Sequence, residues 1–146
     1  MALEIAERNT DAKHIVLAGI PENGSIIAAK LLPLLQQSFT GRIDTVTVTL
    51  NKIHPEEVLV QPQMDFNNVV VILIDDVANR GKTMMYALKP FLNFYPQKIQ
   101  TLVLVERSHK AFPVQADYVG LSIATTLQEH IYVEVEQGEI NGAWMD

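Results

Sequence analysis

Six consecutive apolar residues, from Val69 to Ile74, constrain the fold of this chain more than any other feature. The run has the length of a strand and consists only of Val, Ile and Leu. Such runs are typical of strands buried on both faces, which occur in parallel sheets covered by helices. We therefore predict a central parallel strand over residues 69–74.

Two adjacent carboxylates, Asp75 and Asp76, follow this run directly. Ligands of open α/β sheets bind beyond the carboxyl ends of the strands. A short turn with glycine then leads into a helical pattern, and such a turn presents backbone N–H groups to an anion, while Arg80 and Lys82 add positive charge. The segment is interpreted as a site for a phosphate attached to a group with hydroxyls. Paired Asp residues also occur as plain helix caps and turn formers, so that alternative stays open at this point.

Strand and helix patterns alternate along the rest of the chain. Further strands are predicted at residues 14–20, 42–50, 100–105, 118–122 and 131–136, and helices at residues 3–8 and 25–37. A helix after the central strand is predicted to bury Met85, Leu88, Leu92 and Tyr95. This alternation predicts an α/β fold, a doubly wound and mainly parallel sheet flanked by helices.

Three segments are expected to interrupt this pattern. Pro33 should kink or shorten the helix at residues 25–37. Residues 51–68 are expected to form a loop, which at this length is usually functional or mobile. Residues 138–146 show no regular signal.

The composition limits the domain organisation and the partners. With 146 residues, 48% hydrophobic and 19% charged, the chain is expected to form one globular domain over residues 1–146. It has no cysteine and its four histidines lie far apart, so no metal site is predicted. Seventeen acidic against 11 basic residues disfavour RNA and DNA as partners. The N-terminus lacks a long apolar core, and we expect a cytoplasmic protein with no membrane partner.

Two motifs carry a resemblance to a known family. The acidic segment resembles the phosphoribosyl diphosphate (PRPP) motif of type I phosphoribosyltransferases, in which an apolar strand leads to Asp-Asp-Val and then to Gly, a variable residue and Thr. Residues 103–120 resemble the bifunctional pyrimidine-operon attenuator and uracil phosphoribosyltransferase group, through Arg107, His109, Pro113 and the run Ala-Asp-Tyr-Val-Gly. The segments LEIAERN, HIVLAGI and RIDTVTVTL are also similar. The resemblance implies the type I fold with a small hood-like C-terminal extension, and a homodimer.

The resemblance also implies roles for individual residues. The acidic pair would hold the ribose hydroxyls of PRPP and act as the catalytic group together with Arg107, and the loop that follows the pair would hold the 5-phosphate. Tyr118 would cover the base and Val119 would contact its edge, while Mg²⁺ would be bound by the substrate and residues 51–68 would close over the site. The PRPP-binding residues predicted on this basis are Asp75, Asp76, Val77, Ala78, Asn79, Arg80, Gly81, Lys82 and Thr83. A plain core role for Tyr118, a turn role for Asp117 and a solvated loop for Arg107 with His109 are the alternatives.

Two places depart from the family pattern. The predicted pyrophosphate loop is Pro21, Glu22, Asn23 and Gly24, where the family has a basic Arg-x-x-Gly stretch. Only Gly24 matches, and Glu22 would repel the pyrophosphate. Arg80 stands where the family has Thr or Ser.

Three functions follow as hypotheses. The leading one is an enzyme that transfers a phosphoribosyl group from PRPP to a pyrimidine base such as uracil and releases pyrophosphate. The alternative is a regulatory module that binds PRPP or a nucleotide with little turnover, which the altered pyrophosphate loop favours. An RNA-binding attenuator is disfavoured by the acidic charge balance.

Overall fold

A six-stranded sheet forms the centre of the computed structural model, with strands in the order β3-β2-β1-β4-β5-β6. All neighbouring strands in it are parallel except β3, which pairs antiparallel with β2. The strands and helices are, in chain order, α1 (Ala2–Arg8), β1 (His14–Gly19), α2 (Asn23–Ser38), β2 (Arg42–Leu50), β3 (Val58–Gln61), β4 (Val70–Ala78), α3 (Lys82–Ala87), a 3₁₀ helix (Lys89–Asn93), β5 (Lys98–Arg107), β6 (Tyr118–Ile123), β7 (Ile131–Glu136) and β8 (Glu139–Met145). The structure describes residues 1–50, 57–78, 80–107, 111–123, 131–136 and 139–145.

Helices cover both faces of this sheet. Because successive side chains of a strand point to opposite faces, β4 contributes Val70, Ile72 and Ile74 to one core and Val71 and Leu73 to the other. The first core packs against α1 and α2, through buried side chains that include Ile5, Ile27, Leu31 and Leu35. The second core packs against α3 and the 3₁₀ helix, through Met84, Ala87 and Phe91. The predicted doubly wound, mainly parallel sheet and its central strand are therefore confirmed.

Two strands lie where the sequence predicts none. Residues 58–61 of the expected loop form β3 at the edge of the sheet, where Val58 and Val60 pack against the second core. Residues 51–56 of that loop lie outside the described residues. The tail at residues 138–146 contains β8, which pairs antiparallel with β7 in a separate two-stranded sheet. Each of the two pairs with the strand that precedes it in the chain, β3 with β2 and β8 with β7. A hood-like position for the two-stranded sheet and a single domain over the whole chain stay predictions.

The structure corrects two predictions about helices. Helix α2 is not shortened at Pro33 but continues to Ser38, with Pro33 on its exposed side and Leu31 and Leu35 buried against the sheet. A kink at Pro33 stays a prediction. The predicted buried face after the central strand is wrong at three of its four residues. Met85, Leu92 and Tyr95 are exposed, at 39%, 70% and 86%, whereas Leu88 packs against the second core. Pro90 lies in the first turn of a 3₁₀ helix that follows α3. The buried residues are Met84, Ala87 and Phe91, each one position before a residue of the predicted face.

The order of the strands places a crevice at one edge of the sheet. From β1 the chain moves outward in one direction to β2 and β3, and then returns to β4 and continues to β5 and β6 on the other side. The connections after β1 and β4 therefore lead to opposite faces, to α2 and to α3. Ligands of doubly wound sheets bind between two such diverging connections. Within the described part of the chain, no helix is long and apolar enough to cross a membrane.

Candidate functional site

The acidic pair lies within β4 at the crevice. Asp75 is nearly fully buried, at 4% exposed, and Asp76 is half-buried. The sequence pattern predicts that the strand ends before the pair. In the structure it continues through Val77 and Ala78, because these residues stay paired with Val105 and Glu106 of β5. Val77 and Ala78, predicted as part of the phosphate loop, are therefore strand residues, and the loop that follows is shorter.

Backbone amides hold one oxygen of each carboxylate. The N–H of Asp76 donates to Oδ1 of Asp75 over 2.8 Å, and the N–H of Val77 donates to Oδ1 of Asp76 over 2.8 Å. Each carboxylate retains lone pairs for further hydrogen bonds. Carboxylate oxygens at the crevice can therefore accept hydrogen bonds from the hydroxyls of a sugar.

The loop after β1 packs directly on β4 beside the acidic pair. The N–H of Ile20 donates to the carbonyl of Ile74 over 2.9 Å. A Cβ on Gly24 would overlap that same carbonyl oxygen, so only glycine permits this close approach of α2 to β4. At the start of α2, Nδ2 of Asn23 donates to Oδ2 of Asp76 over 2.8 Å. Of the four residues of the predicted pyrophosphate loop, Pro21 and Asn23 are half-buried, Gly24 is buried and Glu22 is exposed.

The loop after β4 carries the positive charge. Gly81 adopts the left-handed conformation, with φ at 85°, and precedes α3 as its N-cap. Arg80 is exposed and Lys82 and Thr83 are half-buried. The carbonyl of Arg80 accepts hydrogen bonds from the N–H groups of Ala111 and Phe112, at 3.2 and 3.0 Å. The two motifs that carry the family resemblance are therefore in contact. Asn79 lies outside the described residues.

The two residues predicted to bind the base lie on opposite faces of the sheet. Val119 pairs with Val103, which pairs with Asp75, so these three residues form one row across β6, β5 and β4. Tyr118 is fully buried in the core beneath α1 and α2. Its hydroxyl donates to Oε1 of Gln100 over 2.8 Å and accepts from Nδ2 of Asn9 over 3.2 Å. Burial raises the pKa of Tyr118 above its ordinary value. This placement supports the core alternative for Tyr118 and leaves Val119 on the same face of the sheet as Asp75, two strands away from it.

The second motif contains buried polar contacts that sequence patterns do not reveal. Glu106 is 7% exposed, and its Oε1 accepts a hydrogen bond from the N–H of Ala116 over 3.1 Å. Oδ2 of Asp117 accepts from the N–H of Thr101 over 2.9 Å, which ties the start of β6 to β5. Arg107 is the last residue of β5 and, like His109, has a side chain outside the described part of the structure.

The described residues contain no group of three or more His, Asp or Glu side chains arranged to hold a metal ion. The donors at the crevice are two adjacent carboxylates, and Asp76 is the more accessible of the two. Magnesium takes oxygen ligands, keeps several waters and is often bound through one or two carboxylates together with substrate phosphates. This donor set fits an ion that arrives with a phosphorylated substrate better than one in a protein cage.

Comparison with known proteins identifies the family. The model of the phosphoribosyl transferase domain matches residues 1–137 of this chain. The chain belongs to the phosphoribosyltransferase family. The bifunctional protein PyrR of Clostridioides difficile is 36% identical to the enzyme, over 95% of this chain and 83% of the relative. The bifunctional protein PyrR of Streptococcus mutans is also 36% identical, over 92% of this chain and 80% of the relative. The predicted resemblance to this group is confirmed.

Solved structures share the fold of the enzyme. The hypoxanthine phosphoribosyltransferase of Trypanosoma cruzi matches with a TM-score of 0.69 and 19% identity, over 84% of this chain and 74% of that one. A hypoxanthine-guanine phosphoribosyltransferase of Bacillus anthracis matches with a TM-score of 0.65 and 21% identity, over 84% and 73% of the two chains. These matches confirm the type I phosphoribosyltransferase fold. Together with the family match, they make the protein a PRPP-dependent phosphoribosyltransferase, an enzyme of the glycosyltransferase type.

Proposed function

We propose that the enzyme transfers the 5-phosphoribosyl group of PRPP to a pyrimidine base, with uracil as the preferred acceptor and pyrophosphate as the second product. The observation that carries the proposal is the acidic pair at the crevice between β1 and β4, followed by the Gly81 turn and the start of α3. The pyrimidine preference is supported by the two PyrR relatives, whose sequences match the enzyme over nearly its whole length.

The chemistry of the proposed reaction is a displacement at the anomeric carbon. A ring nitrogen of the base forms the new bond as the bond to pyrophosphate breaks, and positive charge develops on the ribose ring. We assign to Asp75 and Asp76 the hydrogen bonds to the ribose hydroxyls, which orient the ring and place negative charge near the developing cation. Magnesium bound to PRPP would neutralise charge on the leaving pyrophosphate.

The remaining residues are assigned by their positions around the pair. The N–H groups of the turn at Gly81, with Thr83 and the cations of Arg80 and Lys82, would bind the 5-phosphate. Val119 would contact the base, because it lies in the same row of the sheet as Asp75. Residues 21–24 would face the pyrophosphate from the end of β1. Arg107 keeps its proposed catalytic role on the resemblance alone.

The test is an assay of initial rates with Mg-PRPP and a panel of free bases. We expect formation of UMP from uracil, with lower rates for cytosine, hypoxanthine and guanine. The variant with Asp75→Asn and Asp76→Asn, purified in the same way, is the control for contaminating activity. Preference for a purine would contradict the acceptor assignment.

A second candidate is a regulatory module that binds PRPP or a nucleotide with little turnover. The observation in its favour is the charge of the first loop, where Glu22 is exposed and Asn23 already donates to Asp76. This loop therefore offers no cation to the leaving pyrophosphate. If no base in the panel reacts but UMP and Mg-PRPP bind, the regulatory function replaces the catalytic one.

A further inference from the structure

The carboxylate of Asp76 is held at both oxygens. Oδ1 accepts from the N–H of Val77, and Oδ2 accepts from Nδ2 of Asn23, each over 2.8 Å. The first donor belongs to the same strand, but the second comes from another element, 53 residues earlier in the chain. Two donors on different oxygens fix the plane of the carboxylate as well as its direction. The orientation of Asp76 in the crevice therefore depends on Asn23.

Glycine packing holds Asn23 against β4. The residue after it, Gly24, lies against the carbonyl of Ile74, and a Cβ at Gly19 would come within 2.7 Å of Cα of Ser25. The hydrogen bond from Ile20 to Ile74 fixes the same loop from its other end. Because backbone atoms make these contacts, the start of α2 cannot move away from the acidic pair without loss of packing. The contact between Asn23 and Asp76 is therefore part of the framework and not an incidental surface contact.

The uncharged amide has a specific chemical consequence. An Arg or Lys at this position would form an ion pair with Asp76 and compete with its other partners, whereas an amide donates one hydrogen bond and leaves the negative charge in place. Each carboxylate oxygen has a second lone pair, so Asp76 can still accept a hydrogen bond from a ligand hydroxyl.

We propose that Asn23 is a positioning residue that orients Asp76 toward the ribose hydroxyls, so that the first loop acts on the sugar as well as facing the pyrophosphate. This inference rests on the proposed function, because it requires Asp76 to contact a ribose. It gives the residue a role that acts only through Asp76.

The test is a double-mutant cycle with Asn23→Ala, Asp76→Asn and the double variant. The probes are UMP and Mg-PRPP, titrated by calorimetry. We expect Asn23→Ala to weaken binding of both probes about ten-fold in the wild-type background and less than about two-fold when Asp76 is already Asn, because interacting residues do not contribute additively. Asn93→Ala, at an exposed position of the 3₁₀ helix, is the matched control and should leave both affinities unchanged.

Two further measurements separate positioning from a purely structural role. The isosteric Asn23→Asp variant removes the donor and should weaken binding at least as much as Asn23→Ala, while thermal melting shows that both variants stay folded. In the ligand-free protein, the side-chain amide signal of Asn23 in ¹⁵N NMR should shift when Asp76 becomes Asn.

Equal losses for Asn23→Ala in both backgrounds would overturn the inference, because Asn23 would then act independently of Asp76. Unchanged affinity in Asn23→Ala would overturn it as well. A wild-type protein that binds neither UMP nor Mg-PRPP would instead refute the proposed function, and the positioning role would fall with it.

Discussion

The two loops that flank the acidic pair differ in packing and in charge. The first loop, residues 20–24, is tied to β4 by the Ile20 to Ile74 hydrogen bond, by the close approach of Gly24 and by Asn23, and its only charged residue is Glu22. The second loop, residues 79–83, carries Arg80 and Lys82 and begins the short helix α3. The first loop is fixed by its packing on β4, whereas the second carries the cations that attract an anion.

This difference indicates that the two loops interact with different parts of PRPP. The 5-phosphate of PRPP would meet positive charge and backbone donors, while its pyrophosphate would meet an exposed carboxylate. The enzyme should therefore bind the ribose 5-phosphate part of PRPP well but stabilise the departing pyrophosphate only weakly. Each of the following changes breaks or sharpens one side of this comparison.

The largest effect is expected from Asp75→Asn together with Asp76→Asn, since the pair lies between the two loops. Loss of charge-assisted hydrogen bonds to the ribose should weaken binding of UMP and Mg-PRPP by about 1.5 to 3 kcal/mol per residue before non-additivity. The fold should persist, because the carbonyl oxygen of Asn still accepts from the N–H groups of Asp76 and Val77. Calorimetry measures the affinities, with Asp65→Asn as an exposed control. Unchanged affinity would refute the site.

Gly24→Ala should break the packing of the first loop. The added Cβ would overlap the carbonyl oxygen of Ile74, and overpacking of this kind typically destabilises a protein by about 1 to 3 kcal/mol. The displaced loop should also lose the bond from Asn23 to Asp76 and weaken UMP binding. Chemical denaturation measures the first effect, and Gln36→Ala, at an exposed position of the same helix, is the control. Wild-type stability in Gly24→Ala would show that the loop is not tied to β4.

Tyr118→Phe tests whether the face beneath α1 and α2 is structural. The change removes the hydroxyl contacts with Gln100 and Asn9 and should destabilise the fold by about 1 kcal/mol, with UMP binding unchanged. The raised pKa of Tyr118 adds a pH dependence. Above pH of about 10 the unfolded tyrosine ionises while the folded one stays neutral, so wild-type stability should fall there and the Phe variant should lack that part of the fall. A loss of uracil turnover without a loss of stability would contradict the structural role and support contact between Tyr118 and the base.

Arg80→Ser removes one cation from the second loop and installs the hydroxyl typical of the family. Because Arg80 is exposed, its contribution to phosphate binding should be below about 1 kcal/mol and should shrink as salt rises. Affinity for UMP at low and high salt measures the effect, with Lys13→Ser, another exposed cation, as the control. A gain in affinity at every salt concentration would show that the long side chain obstructs the loop.

The sequence predicts the sheet well and the site only in part, for physical reasons. Residues 15–20, within the predicted strand at 14–20, and residues 69–74 are apolar at every position, so their burial follows from composition alone. The buried face after β4 is mispredicted by one position, because adjacent apolar residues such as Met84 and Met85 leave the phase of the helix open. The edge strand β3 is missed because it is only four residues long. Asn23 and Asp76 belong to different elements, and no local pattern links an amide to a carboxylate 53 residues away.

The claim that the first loop faces the pyrophosphate and the second the 5-phosphate is tested most directly by titration. Wild type and Glu22→Arg are each titrated with UMP and with Mg-PRPP, and Glu22→Gln is the neutral control. A cation in place of an exposed carboxylate should tighten Mg-PRPP binding by about 0.5 to 1 kcal/mol at low salt. UMP has no pyrophosphate, so its affinity should stay the same. Equal tightening of both ligands, or of neither, would contradict the account, because the first loop would then not face the pyrophosphate.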